Sequence, residues 1–154
     1  MNFKKGEGKA MADYRDCEKE CERIQQENSQ LLKEFDLWLQ GKRLTEGTIR
    51  RHLRNIDFYI NHFLLYEEAI EAKNGASEIY GFLGDWFIRK ALWSSAPQIK
   101  NNAASLKKFY RFMCDKGLTK QEDLDDMNDA IKEFMPDWLA QMRRFDAVSA
   151  RYNF

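Results

Sequence analysis

Two short stretches of cations are the part of this chain best equipped for chemistry, and the chemistry is anion binding. Lys42, Arg43, Arg50, Arg51 and Arg54 crowd the first; Lys100, Lys107, Lys108 and Arg111 crowd the second. Ammonium and guanidinium groups neutralise phosphate, and Arg or an amide such as Asn101 can read a base edge through paired hydrogen bonds. Thr48 adds a hydroxyl beside the first group. The ordinary reading of such residues is a solvated helix face. Other chemistries are poorly supplied. His52 and His62 have no Asp or Ser partner at a readable spacing, and there is no Gly-rich phosphate loop, no H-E-x-x-H and no G-x-S-x-G. Cys17 and Cys21 would share a helix face. A zinc site wants about four ligands, and His52, His62 and Cys114 show no ligand spacing. No metal, no cofactor and no enzyme activity are expected.

These cations need helices to hold them. The chain has 154 residues, 44% hydrophobic and 32% charged, and only two Pro and eight Gly. No stretch alternates apolar and polar residues for long, so the expected fold is all-α, a compact bundle of about five helices. Residues 1–12 read as a disordered tail, 13–146 as a single helical domain and 147–154 as a frayed tail. The first helix runs from about Asp13 to Gln40, either continuous or restarting with Ser29 as cap. Ile24, Leu31, Phe35 and Trp38 share its inner face. The second, capped by Thr45 or Thr48, is expected to run to about Ala72 on Ile49, Leu53, Ile56, Tyr59 or Ile60, and Phe63. Three arginines in its first two turns oppose the helix dipole, which a bound anion would relieve.

Asn74-Gly75 reads as a turn, with Ser77 capping a third helix from Glu78 to Trp93. Gly81 and Gly84 inside that helix cost roughly 1 kcal/mol each against Ala, which makes sense if another helix crosses closely there. The fourth helix has both ends marked: Ser95 as cap, Pro97 in the first turn, Gly117 at the left-handed stop. Ile99, Ala103, Leu106, Tyr110 and Met113 are its buried stripe. Thr119 to Glu122 has the pattern of a capping box for a fifth helix over 118–146. Pro136 should kink or split that helix. Glu122, Asp126, Asp129, Glu133 and Asp137 line one of its faces.

Net charge is zero, but it is unevenly spread. Residues 1–40 carry seven bases and nine acids, 41–117 thirteen and eight, 118–154 five and eight. The middle is basic between acidic ends. No apolar run reaches the roughly 18 residues that span a bilayer, and the first residues lack a hydrophobic signal core. A cytoplasmic protein is expected, with no membrane partner.

Thr48-Ile49-Arg50-Arg51-His52, with Ile56 beyond, and Leu106-Lys107-Lys108-Phe109-Tyr110-Arg111-Phe112-Met113 followed by Gly117 carry a family pattern. On these motifs residues 29–117 resemble the N-terminal core-binding domain of tyrosine recombinases (phage integrases), a SAM-like bundle of short helices. In that family the second and fourth helices face the DNA major groove. The resemblance implies DNA contact by Thr48, Arg50 and Arg51 in the second helix, and by Lys100, Asn101 and Lys107 in the fourth. Arg43, Arg54 and Arg111 join them as neighbouring cations.

The chain departs from the family in places. His52 stands where Tyr is usual, Gln98 where Thr is common, and an acidic helix replaces a Pro-containing linker. The family's catalytic domain carries Arg, Lys and His partners for a nucleophilic Tyr. The 37 residues after Gly117 hold no His, so Tyr152 is not a credible nucleophile. The expectation is a non-catalytic module that binds double-stranded DNA, related to DNA recombination and integration. A recombinase or other protein partner would dock on the acidic helix. The alternative is a helical protein–protein interaction module that keeps the fold without binding DNA.

Overall fold

Ile24, Asn28, Phe35 and Leu39 follow one another along a single face of helix α1 (Phe3–Gln40), and all four are buried. The computed structural model describes residues 3–91 and 94–152, and among the described residues there is no strand. α2 (Glu46–Phe58) continues through one π-helical stretch, Tyr59–Phe63. A 3-10 segment, Ala72–Glu78, leads into α3, residues 79–90, itself interrupted by the π-helical Phe82–Trp86. α4 (Ala96–Asp115) and α5 (Gln121–Tyr152) complete five main helices.

α4 is central. Ile99, Ala103, Leu106, Phe109, Tyr110, Phe112 and Met113 are all buried, against α1, α2 and α5. Phe35 of α1 meets Phe109 edge-on at 5.3 Å, and Trp38 donates its indole N–H to Asp115 at 3.1 Å. Ser95 caps α4 as expected, its hydroxyl accepting from the Gln98 N–H at 3.3 Å. At the other end Gly117 takes φ +75. The Leu118 N–H reaches the Met113 carbonyl and the Gly117 N–H the Cys114 carbonyl, both at 2.9 Å. This is the Schellman geometry that a glycine makes cheap.

Several boundaries differ from expectation. α1 is continuous through Ser29 and is helical from Phe3, where a disordered tail was expected over 1–12; Met1 and Asn2 lie outside the described residues. Once a long helix exists, each added residue gains one hydrogen bond without a new nucleus, and this extension carries the helix through Gly6 and Gly8 despite their low propensity. The same propagation carries α5 to Tyr152 through the expected frayed tail 147–154, with Asn153 and Phe154 outside the described residues. The second helix stops at Phe63 rather than near Ala72. α3 ends at Lys90; Trp93, its expected end, is outside the described residues.

The Asn74-Gly75 turn is a 3-10 segment instead. Three side chains hold it: Tyr59 and Tyr110 donate to the carbonyls of Gly75 and Ala72 at 2.5 and 2.9 Å, and Thr119 donates to that of Lys73 at 3.1 Å. Thr119 is therefore taken from the expected capping box, and Ser77 lies inside the segment rather than capping α3.

α5 passes through Pro136 without a break. Proline costs a helix interior about 3 kcal/mol. Burying Trp138 and Met142 beyond it returns roughly 1.5–3 kcal/mol each, so the stripe begun by Leu124, Met127 and Ile131 continues across the proline. The close crossing expected at the α3 glycines is real at Gly84 only. A Cβ there would lie 2.7 Å from Trp138 Nε1, while one at Gly81 would meet nothing within 4 Å. One continuous core runs from Phe35 to Met142, so α5 is an integral part of it.

Candidate nucleic-acid interface

Thr45, not Thr48, caps α2. The Thr45 hydroxyl accepts from the Thr48 N–H at 3.2 Å and donates to the Thr48 hydroxyl at 2.9 Å. Thr48 is thereby held by the cap. The first turns then place Arg50 and Arg54 on the exposed face, with Arg51 half-buried on the side turned towards α4. Arg43 sits exposed in the turn before α2 at φ 59.

A buried polar clamp fixes α2 against α4. His52 Nδ1 lies 2.7 Å from the Ser105 hydroxyl, Asn55 donates to that hydroxyl at 3.0 Å, and the hydroxyl donates to the Asn101 carbonyl at 3.0 Å. The hydroxyl has one proton to share between the Asn101 carbonyl and His52 Nδ1, and the histidine tautomer follows that choice. Both side chains are buried, and the pair clasps α2 to α4. The partner of His52 is 53 residues away in sequence, which is why spacing could not reveal it.

Burial, then the charges of Arg51 and Lys108, pull the His52 imidazole down to a pKa of about 4. Lys108 of α4 thus acts on the same histidine as Arg51 of α2. The folded pKa lies below the unfolded value near 6.5, so stability is fully present above about pH 6.5 and is lost as pH falls towards 4. We expect unfolding free energy to drop by roughly 2 kcal/mol between pH 6.5 and 4.5. Denaturant titrations of wild type and His52→Gln check this: the variant should lose most of that slope.

The remaining predicted residues fall on two surfaces. Asn101 is half-buried, and its carbonyl accepts from Ser105 in the clasp. Lys100, Lys107 and Arg111 are exposed and, at 100° per residue, occupy one arc of α4 roughly opposite Gln98 and Asn102. The seam therefore brings Arg51 and Arg54 together with α4, while Lys100, Lys107 and Arg111 form a separate row on its outer side. Among the described residues, Arg43, Arg50, Arg51, Arg54, Lys100 and Lys107 make no ion pair. Arg111 donates to the Gln121 carboxamide at 3.1 Å at the start of α5. The acidic stripe of α5, Glu122, Asp126, Asp129, Glu133 and Asp137, is exposed and pairs with none of these cations.

A cleft opens at the seam, lined by Arg51, Arg54, Asn55, Phe58, Gln98 and Asn102. Charge pattern pointed to the two arginines. Asn55 and Asn102 carry no charge signal and Gln98 stands out only as a departure from the family, although Gln98 and Asn102 are four apart and Asn55 follows Arg51 by four. That spacing is the signal that one helix face carries them.

Elsewhere, Cys17, Cys21 and Cys114 are free thiols, and among the described residues no group of three or more metal-binding side chains comes together. No described helix is long and apolar enough to cross a membrane. Compared with models of protein families, with curated proteins and with solved structures, the chain matches none.

Proposed function

We propose that this chain is a double-stranded-DNA-binding module without chemistry of its own, serving site-specific recombination or DNA integration. On this reading segment 29–117 is a SAM-like core-binding unit of the kind its motifs resemble, and a recombinase is the natural protein partner. The supporting observation is the set of unpaired cations on α2 and α4, which the acidic α5 leaves uncovered. Unpaired Lys and Arg on adjoining helices bind the phosphate backbone by releasing its counterions. Such a module works in the cytoplasm, and three free thiols suit a reducing compartment.

The test is fluorescence anisotropy with duplex DNA over a range of salt. About four phosphate contacts give a slope near −3.6 in log K against log salt. A second reading, a protein-interaction module that docks a basic partner, is favoured by the exposed carboxylates of α5. It requires no duplex binding, so absence of binding at low salt removes the first reading and leaves the second.

A further inference from the structure

The cleft between α2 and the start of α4 has a volume of about 350 Å³, near the lower end of the roughly 300–1,000 Å³ of small-molecule sites. Its lining holds two guanidinium groups, three carboxamides and one ring, and no carboxylate. The Arg51 Nε–H is buried and has no acceptor. A buried donor left without an acceptor is unfavourable, and the Arg51 guanidinium at the cleft wall is not already tied up by a protein acceptor at Nε. Arg54 beside it has no ion pair among the described residues.

The amides retain donors as well. Asn55 spends one N–H on Ser105, and Asn102 spends one on the Gln98 carbonyl at 2.8 Å; each side-chain amide has a second N–H. Phe58, whose ring packs on Phe82, Trp86 and Phe87, supplies an apolar wall.

We propose that this cleft binds a phosphate monoester, carried on the end of a DNA strand or on a free mononucleotide. A monoester bears close to two negative charges and three acceptor oxygens on one side. It can enter end-on, match two guanidinium forks and take amide N–H bonds with its remaining oxygen. An internal diester of a duplex has one charge and a sugar on each side, so it meets the open cation rows and the rim of the cleft but does not enter it. The strand-end form of the ligand rests on the DNA reading above; the mononucleotide form stands without it.

The test uses the full chain. Calorimetry compares inorganic phosphate, a nucleoside 5′-monophosphate and the matching nucleoside. Anisotropy compares duplexes of one sequence bearing a 5′-phosphate or a 5′-hydroxyl. The nucleotide should bind and the nucleoside should not, and the phosphorylated duplex should bind about tenfold more tightly. Arg54→Gln and Gln98→Ala, both at positions outside the core, should bring each preference to within about twofold.

No nucleotide binding together with equal duplex affinities overturns the pocket, even where duplex binding itself is strong. Preferences that survive in both variants overturn it too. Nucleotide binding with equal duplex affinities supports the pocket and assigns it the free ligand. Nucleotide binding with no duplex binding supports the pocket and removes the DNA reading instead.

Discussion

If the proposed DNA reading holds, reversing Arg51 and Lys107 to glutamate is expected to weaken duplex binding at least ~100-fold near 0.1 M salt and to leave the helical circular dichroism unchanged. The two residues sample both cation surfaces: Arg51 at the α2–α4 seam, Lys107 on the outer row of α4. Each reversal would remove a proposed phosphate contact and add a repelling carboxylate, so the pair changes the local charge by four units. Lys107 is exposed, and its replacement touches no core group. Arg51 is half-buried, but a glutamate there sits one helical turn from Arg54 and near Lys108, either of which can pair with it. Arg50→Glu with Lys107→Glu uses two exposed positions and controls for any loss of fold. Duplex binding that persists in both double variants shows that these helices do not face the DNA. The two single reversals tell which row matters: a seam-only interface responds to Arg51 and ignores Lys107.

Gly75→Ala destabilises the protein by about 3 kcal/mol, the upper end for overpacking a core. A Cβ at Gly75 would lie 2.7 Å from Leu64 Cδ1 and closer still to the Tyr110 hydroxyl. Neither neighbour can move freely. Leu64 is buried, and Tyr110 is held by its bond to the Ala72 carbonyl. The same glycine offers its carbonyl to Tyr59. Pushing the 3-10 segment outward therefore breaks two buried hydrogen bonds that burial has made dependent on each other's geometry. Gly81→Ala is the matched control. Its Cβ meets nothing within 4 Å, so in a helical position it should stabilise by roughly 0.5–1 kcal/mol. Denaturant midpoints of the two variants should move in opposite directions. Equal small shifts would show that the 3-10 segment is not packed as described.

These two substitutions also mark where sequence pattern is informative and where it is not. Gly75 reads in sequence as half of an Asn-Gly turn, a local signal. Its actual constraint comes from Leu64 and from Tyr110 of α4, which no local pattern contains. Gly84 was legible as a crossing point because glycine inside a helix is costly enough to need a reason, and Trp138 is that reason. Gly81 carries the same local signal without the neighbour. The acidic helix is a further case. Its exposed stripe was visible as i, i+3 and i+4 spacing, but whether it masked the cations depended on how α5 packs. It packs through Leu124, Met127, Ile131, Trp138 and Met142 and turns the carboxylates outward.

By itself the sequence determined the all-helical class, the inner faces of the first, second and fourth helices, the Ser95 cap and the Gly117 stop. Each of these follows from helical periodicity or from a backbone preference that acts within a few residues. It also determined that cations concentrate in two stretches. Only the tertiary structure decided which cations share a surface, that His52 clasps Ser105, that Thr119 holds the 3-10 segment instead of capping α5, and that three amides join Arg51 and Arg54 around one cleft. Those contacts link residues tens of positions apart, and their geometry depends on helix crossings and rotations that burial of the whole core sets at once.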